Sequence, residues 1–129
     1  MDRTLRPFTT DPELSSLASE ANVRYETFEN FATEGGVIDG VFLGCSFTNV
    51  DWYWGLFNMS VFVESTFQGC TFRGSAFSGC IFVECTFVGC HFVKDNLGGE
   101  CSFEDSRWYG CQQSESTGLP ASVPVTTGQ

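Results

Sequence analysis

The 129-residue chain has no apolar run of eighteen or more residues, so nothing in it reads as a membrane-spanning helix. It does not open with a basic stretch followed by an apolar one, and we expect a cytoplasmic protein without a secretory leader. Cations are scarce: six Lys and Arg stand against sixteen Asp and Glu, for a net charge of −10. Phosphate contact needs basic residues, so direct binding to nucleic acid is disfavoured. There is one histidine, His91, with no nucleophile or paired carboxylate predicted beside it. No glycine loop leads into a helix and no C-x-x-C spacing occurs, so no catalytic, cofactor-binding or metal-ligating residue is assigned. The seven cysteines are an odd number in a chain without a leader, which favours reduced interior thiols over a disulfide framework.

What the chain does have is a period of five. Large apolar residues stand at Phe42, Phe47, Trp52, Phe57, Phe62, Phe67, Phe72, Phe77, Phe82, Phe87, Phe92 and Leu97. Two residues before most of them is something small, as in Cys45, Ser60, Ser65, Cys70, Ser75, Cys80, Cys85 and Cys90. A period of five keeps no fixed face on a helix or on a flat strand, whereas coils stacked as a solenoid keep it on the inside. No single unit can bury its Phe alone, and close packing keeps the second inward position small. After Leu97 the pattern resumes one residue late at Phe103 and Trp108, which we read as a single inserted residue around Gly98, Gly99 and Glu100.

The units CSFTN, STFQG, CTFRG, CIFVE and CTFVG make the chain resemble the pentapeptide-repeat family, over roughly residues 40 to 113. The resemblance implies an all-β solenoid: a right-handed, four-sided parallel β-helix with four pentapeptides per coil, here about 3.5 coils. Three sections are expected: a cap over 1–36, the β-helix over 37–113 and a disordered tail over 114–129. In the cap, Asp11, Pro12 and the stripe Leu14, Leu17, Ala18, Ala21 predict a short helix over 12–22, with Tyr25, Phe28 and Phe31 covering the end of the first coil. The tail has no apolar periodicity.

Function then depends on outward positions, which stack at intervals of one coil. Val41, Leu43, Val61, Val63, Ile81 and Val83 are expected to form an outward apolar strip where other faces carry Ser, Thr, Gln and Arg. Glu64, Glu84 and Asp105 are expected to stack as an acidic ladder beside it, a combination suited to a basic protein partner. Tyr53 and Trp54 should point outward, either as contact residues or as the seat of the N-terminal cap. Cys70, Cys90 and Cys111 should share one column, and Cys80 should lie above Cys101. By resemblance, Phe103, Trp108 and Tyr109 near the open C-terminal end suggest a homodimer. Some pentapeptide-repeat proteins occupy the DNA-binding surface of DNA gyrase, and some of those carry projecting loops, which we do not read here. The expected function is a non-catalytic protein-binding inhibitor or protector that occludes a DNA-processing enzyme. Its partner would be a basic nuclease toxin, with the chain as immunity protein, or gyrase. A passive scaffold is the alternative.

Overall fold

A pentapeptide with one large and one small inward residue is long enough for a short strand and a corner. The computed structural model of the chain describes residues 22–35, 37–120 and 123. In it the units form short strands that pair in parallel with strands one coil away. Four stacks result. Stack A contains Asn22–Arg24, Val41–Leu43, Val61–Val63, Ile81–Val83 and Arg107–Tyr109. Stack B starts in the long strands Thr27–Glu34 and Ser46–Tyr53 and continues through Thr66–Gln68, Thr86–Val88 and Gln112–Ser114. Stack C takes the second half of the same long strands, then Thr71–Arg73, His91–Val93 and a bridge at Thr117. Stack D holds Val37–Ile38, Leu56–Asn58, Ala76–Ser78 and a bridge at Ser102. The chain thus makes about four turns, more than the 3.5 expected, and no helix occurs among the described residues.

The large residues stack ring on ring inside. Phe28, Phe47, Phe67 and Phe87 form one column with successive centroids 4.9 Å apart and planes within 10°. Phe42, Phe62, Phe82 and Trp108 form the next, and Phe57, Phe77 and Phe103 another. Neighbouring columns meet edge to face, so each ring combines area burial with favourable aromatic geometry.

The small position is more than a space filler. Each of the seven cysteines donates its S–H to the backbone carbonyl of a core residue one coil below, at 3.1–3.5 Å. Ser60, Ser65, Ser106 and Ser116 do the same with their hydroxyls. Alanine would fit the volume but would leave those inward carbonyls without this partner. Corners are closed by left-handed residues, and at several of them a long side chain leans over the corner above. A Cβ on Gly44 would come within 2.7 Å of the Tyr25 ring, and one on Gly74 within 2.7 Å of the Asp95 carboxylate.

Three sequence expectations change. Strand pairing begins at Asn22, ahead of the expected boundary at 37, because Val23, Phe28, Thr33 and Ile38 already keep a period of five inside the first coil. The step from that coil to the next is 19 residues instead of 20, with Gly40 at the shortened corner. Phe28 therefore belongs to the core column, while Tyr25 is exposed and lies over Gly44. The helix expected over 12–22 lies outside the described residues except at Asn22, which opens a strand.

The second change concerns the interruption. Ile81 pairs with Arg107 and Ala76 with Ser102, a step of 26, so six residues are inserted rather than one. Six and one leave the same remainder on division by five, and the repeat alone cannot distinguish them. Leu97, counted with the core residues, is 83% exposed in the resulting loop. Third, Gln112–Ser114 continues stack B and Thr117 bridges His91, so regular pairing runs past the expected end of the solenoid. Gln113 occupies the core position above Phe87 and its amide donates to the Val123 carbonyl at 2.8 Å.

Candidate protein-binding surface

Alternation along each three-residue strand sends the middle residue inward and its two neighbours outward. In stack A this aligns Val41, Val61 and Ile81 in one outer column and Leu43, Val63 and Val83 in the other. All six are half-buried, each shielded by its neighbours in the column. The columns end in cations and polar groups: Asn22 and Arg24 below, Arg107 and Tyr109 above.

The acidic ladder is shorter than expected. Glu64 and Glu84 occupy successive corners after stack A, linked by the N–H of Glu64 donating to Val83 O, and both are exposed. The N–H of Glu84 donates to Tyr109 O, so the corner above Glu84 is Gly110. Asp105 is at the end of stack D, next to Glu104, whose carbonyl accepts from Gly79 N–H. The six-residue insertion moved it there: a count assuming one extra residue lands five short, on the neighbouring corner. The same correction re-pairs the thiols. Cys85 lies beneath Cys111 and Cys70 beneath Cys90, while Cys80 lies beneath Ser106 and Ser75 beneath Cys101.

Tyr53 and Trp54 point outward, and both anchor the inserted loop. The Tyr53 hydroxyl donates to Asn96 Oδ1 at 2.6 Å, and Trp54 Nε1 donates to Asp95 Oδ2 at 2.7 Å. Asp95 Oδ1 accepts from the N–H groups of Leu97 and Gly99 at 2.8 and 2.7 Å, closing the loop on itself. The Trp54 indole, with the loop N–H groups behind it, holds the Asp95 carboxyl below the usual carboxylate range. The loop thus projects from the corner between stacks C and D, where no projection was expected. At the C-terminal end, Phe103 and Trp108 are half-buried, Leu119 packs against the same core and Val123 is buried with it. Of the three residues assigned to a dimer contact only Tyr109 is exposed.

Residues that sequence reasoning did not single out form the most exposed apolar group. Val37 is 57%, Leu56 42% and Met59 70% exposed, all on stack D or its corner into stack A. Their signal was available: Val37 and Leu56 are outward neighbours of the core residues Ile38 and Phe57, but a core count that begins at Phe42 leaves Val37 without a core neighbour.

Residues 60–94 match the family model for pentapeptide repeats, in eight copies. This segment of the chain carries pentapeptide repeats. Its fold is similar to the crystal structure of a pentapeptide-repeat protein, Rfr23, from the cyanobacterium Cyanothece 51142, with a TM-score of 0.61 and 10% identity over 74% of this chain. The chain spans 62% of that protein's length. A second similarity is to a trypsin-treated variant of QnrB1, a plasmid-mediated fluoroquinolone resistance protein. It has 14% identity over 82% of this chain and 84% of that one, but at a TM-score of 0.24 the two do not superpose as whole folds. No curated protein matches the sequence.

As in the repeat generally, the interior of this pentapeptide-repeat chain is chemically quiet. All seven thiols are free. The hydrogen bond shared with Cys90, and burial after it, push the Cys70 thiol up, and the bond with Cys111 and burial do the same to Cys85. His91 is exposed, with its Nδ1 2.9 Å from the Thr117 hydroxyl.

Proposed function

We propose that this pentapeptide-repeat chain is a non-catalytic protein-binding inhibitor or protector, acting in the cytoplasm by lying over the working surface of a basic DNA-processing enzyme. One observation carries the reading: two parallel apolar columns on stack A, bordered by Glu64 and Glu84, on a backbone whose stacks B and C carry mostly polar residues such as Ser46, Thr48, Thr66, Gln68, Thr71 and Arg73 outward. Polar residues are compatible with these positions, so propensity alone does not require the strip. The net charge of −10 supplies attraction toward a basic surface. The resemblance to gyrase-occupying members, and the immunity role expected of a small acidic binder, give two targets: gyrase and a nuclease toxin. A right-handed, four-sided course of the coils belongs to the same proposal, supported by four strand stacks and a 20-residue step in the middle coils. An end-to-end homodimer is left out, since Leu119 and Val123 already pack against that end.

The test is to titrate the purified chain into a gyrase supercoiling reaction and into DNA cleavage by purified basic nucleases. One target should be protected or inhibited, more weakly at high salt, and the effect should be lost in Glu64→Lys with Glu84→Lys. Indifference of every enzyme to the wild-type chain would overturn occlusion.

A further inference from the structure

We infer that the centre of the partner contact is the outer side of stack D with its corner into stack A, an edge of the molecule where Val37, Leu56 and Met59 stand exposed, and that it receives a basic protein segment with apolar side chains at its middle. This rests on the protein-binding reading above and names where the partner seats and what it presents.

Exposure separates this edge from the strip. The six apolar residues of stack A are half-buried among one another, whereas Val37, Leu56 and Met59 present 57%, 42% and 70% of their surface. Val37 and Leu56 are register partners at the start of their strands, and beyond the outward Asn58, Met59 stands at the corner that leads into Val61. Met59 thus stands between the stack D side and the Val41, Val61, Ile81 column of stack A.

Met59 is one of nine non-glycine residues with left-handed φ among the described residues. Met59 adopts φ 55°, a left-handed conformation that favours glycine, and the corner directly above it is Gly79. A long side chain is disfavoured there, and Met59 gains little burial in return. Exposed Glu64 and Glu84 share this corner conformation, and what distinguishes Met59 among them is an apolar side chain that adapts readily to an apolar partner.

Charge identifies the partner. Four cations occur among the described residues. Arg24 and Arg107 are on stack A, Arg73 on stack C lies 3.8 Å from Asp51, and Lys94 in the loop lies 3.9 Å from Glu100. None is on stack D, which carries Asp39, Glu104 and Asp105 along the length of the edge. An apolar centre with carboxylates and no cation complements apolar side chains rimmed by Lys or Arg.

The probes are two labelled synthetic helical peptides with the same leucine centre, one rimmed by lysine and the other by glutamate, titrated by fluorescence anisotropy. The full chain should bind the lysine peptide at least about tenfold more tightly than the glutamate peptide, less so at high salt. Leu56→Ser with Met59→Gly should weaken that binding by about tenfold or more, and Val61→Thr with Ile81→Thr should weaken it by less than that. Met59→Gly relieves the left-handed strain, so its loss of binding cannot be attributed to unfolding. Equal binding of both peptides, binding of neither, or a loss confined to the stack A pair would each overturn the proposal. Lysine-peptide binding at the edge, with no enzyme inhibited, would support it and overturn occlusion alone.

Discussion

The middle coils and the two coils that flank them are built on the same principle with different strictness. From Val41 to Val93 the step is 20 residues and the core positions are filled by Phe and a single Trp. The first coil uses Val23, Phe28, Thr33 and Ile38 at the same positions, and the last uses Phe103, Trp108 and Gln113. A coil therefore needs an inward side chain that its neighbour can cover and a ladder to pair with, not the consensus residue. Interior coils have stacked core side chains both above and below them, which favours a large ring at each level. An end coil has a stacked neighbour on one side only, and there Thr33 and Gln113 are accommodated.

The largest expected effect contrasts the regular core with the inserted loop. Phe67→Ala removes a buried ring stacked between Phe47 and Phe87 and should cost about 3–5 kcal/mol, whereas Leu97→Ala should stay within about 0.5 kcal/mol. Urea denaturation of the two variants measures both, and similar losses would mean that Leu97 is not on the surface. Next comes the small position. Cys85→Ala leaves the Phe62 carbonyl without its 3.2 Å donor and should cost about 1–3 kcal/mol, while Cys85→Ser, which restores a donor, should cost less. Equal losses would return cysteine to the role of mere filler.

A third experiment removes the difference between the regions. Excising residues 95–100 joins Lys94 to Cys101 and restores a 20-residue step, so the shortened chain should fold, with the closure entropy changing by less than about 1 kcal/mol. Trp54 should lose its Asp95 partner and its emission should shift to the red. Failure of that chain to fold would show that the loop is required by the coil. Trp52→Phe should be neutral or stabilising, because the buried indole N–H of Trp52 has no acceptor and the fold elsewhere uses Phe. A clear loss in thermal melting would argue that indole size, above Thr33, matters more than the orphaned donor.

The smallest effect concerns acid. The Asp95 carboxyl is depressed in the folded chain, so its contribution is present above the ordinary carboxylate pKa and is lost as pH falls through its lowered folded value. Amides of Leu97 and Gly99 should lose NMR-detected protection in strong acid before the core does. Asp95→Asn should remove the pH dependence of that opening, and an unchanged profile would assign it to another group.

How much was legible depends on which repeats were intact. The period of five from Phe42 to Phe92 led directly to a solenoid, to inward Phe and to the apolar columns of stack A, because each of these follows from local spacing. The first coil was hidden by a polar Thr33 and a one-residue deletion at Gly40, although 23, 28, 33 and 38 keep the period. Asp105 was misplaced and Leu97 counted inward because insertion length enters the repeat only through its remainder. The roles of Tyr53 and Trp54 could not be read at all, since their loop partners Asn96 and Asp95 are more than forty residues away in sequence.

The amino-acid sequence by itself determined the repeat unit, the composition of the core and the acidic character of the surface. Each of these is a property of residues taken one unit at a time. Only the tertiary structure decided which corners stand above one another, how far the insertion displaces the last coil, which loop Tyr53 and Trp54 hold, and that Val37, Leu56 and Met59 stand exposed on stack D and its corner into stack A. Those are relations between coils, and they follow from the ladder register, which a single inserted or deleted residue resets for everything stacked beyond it.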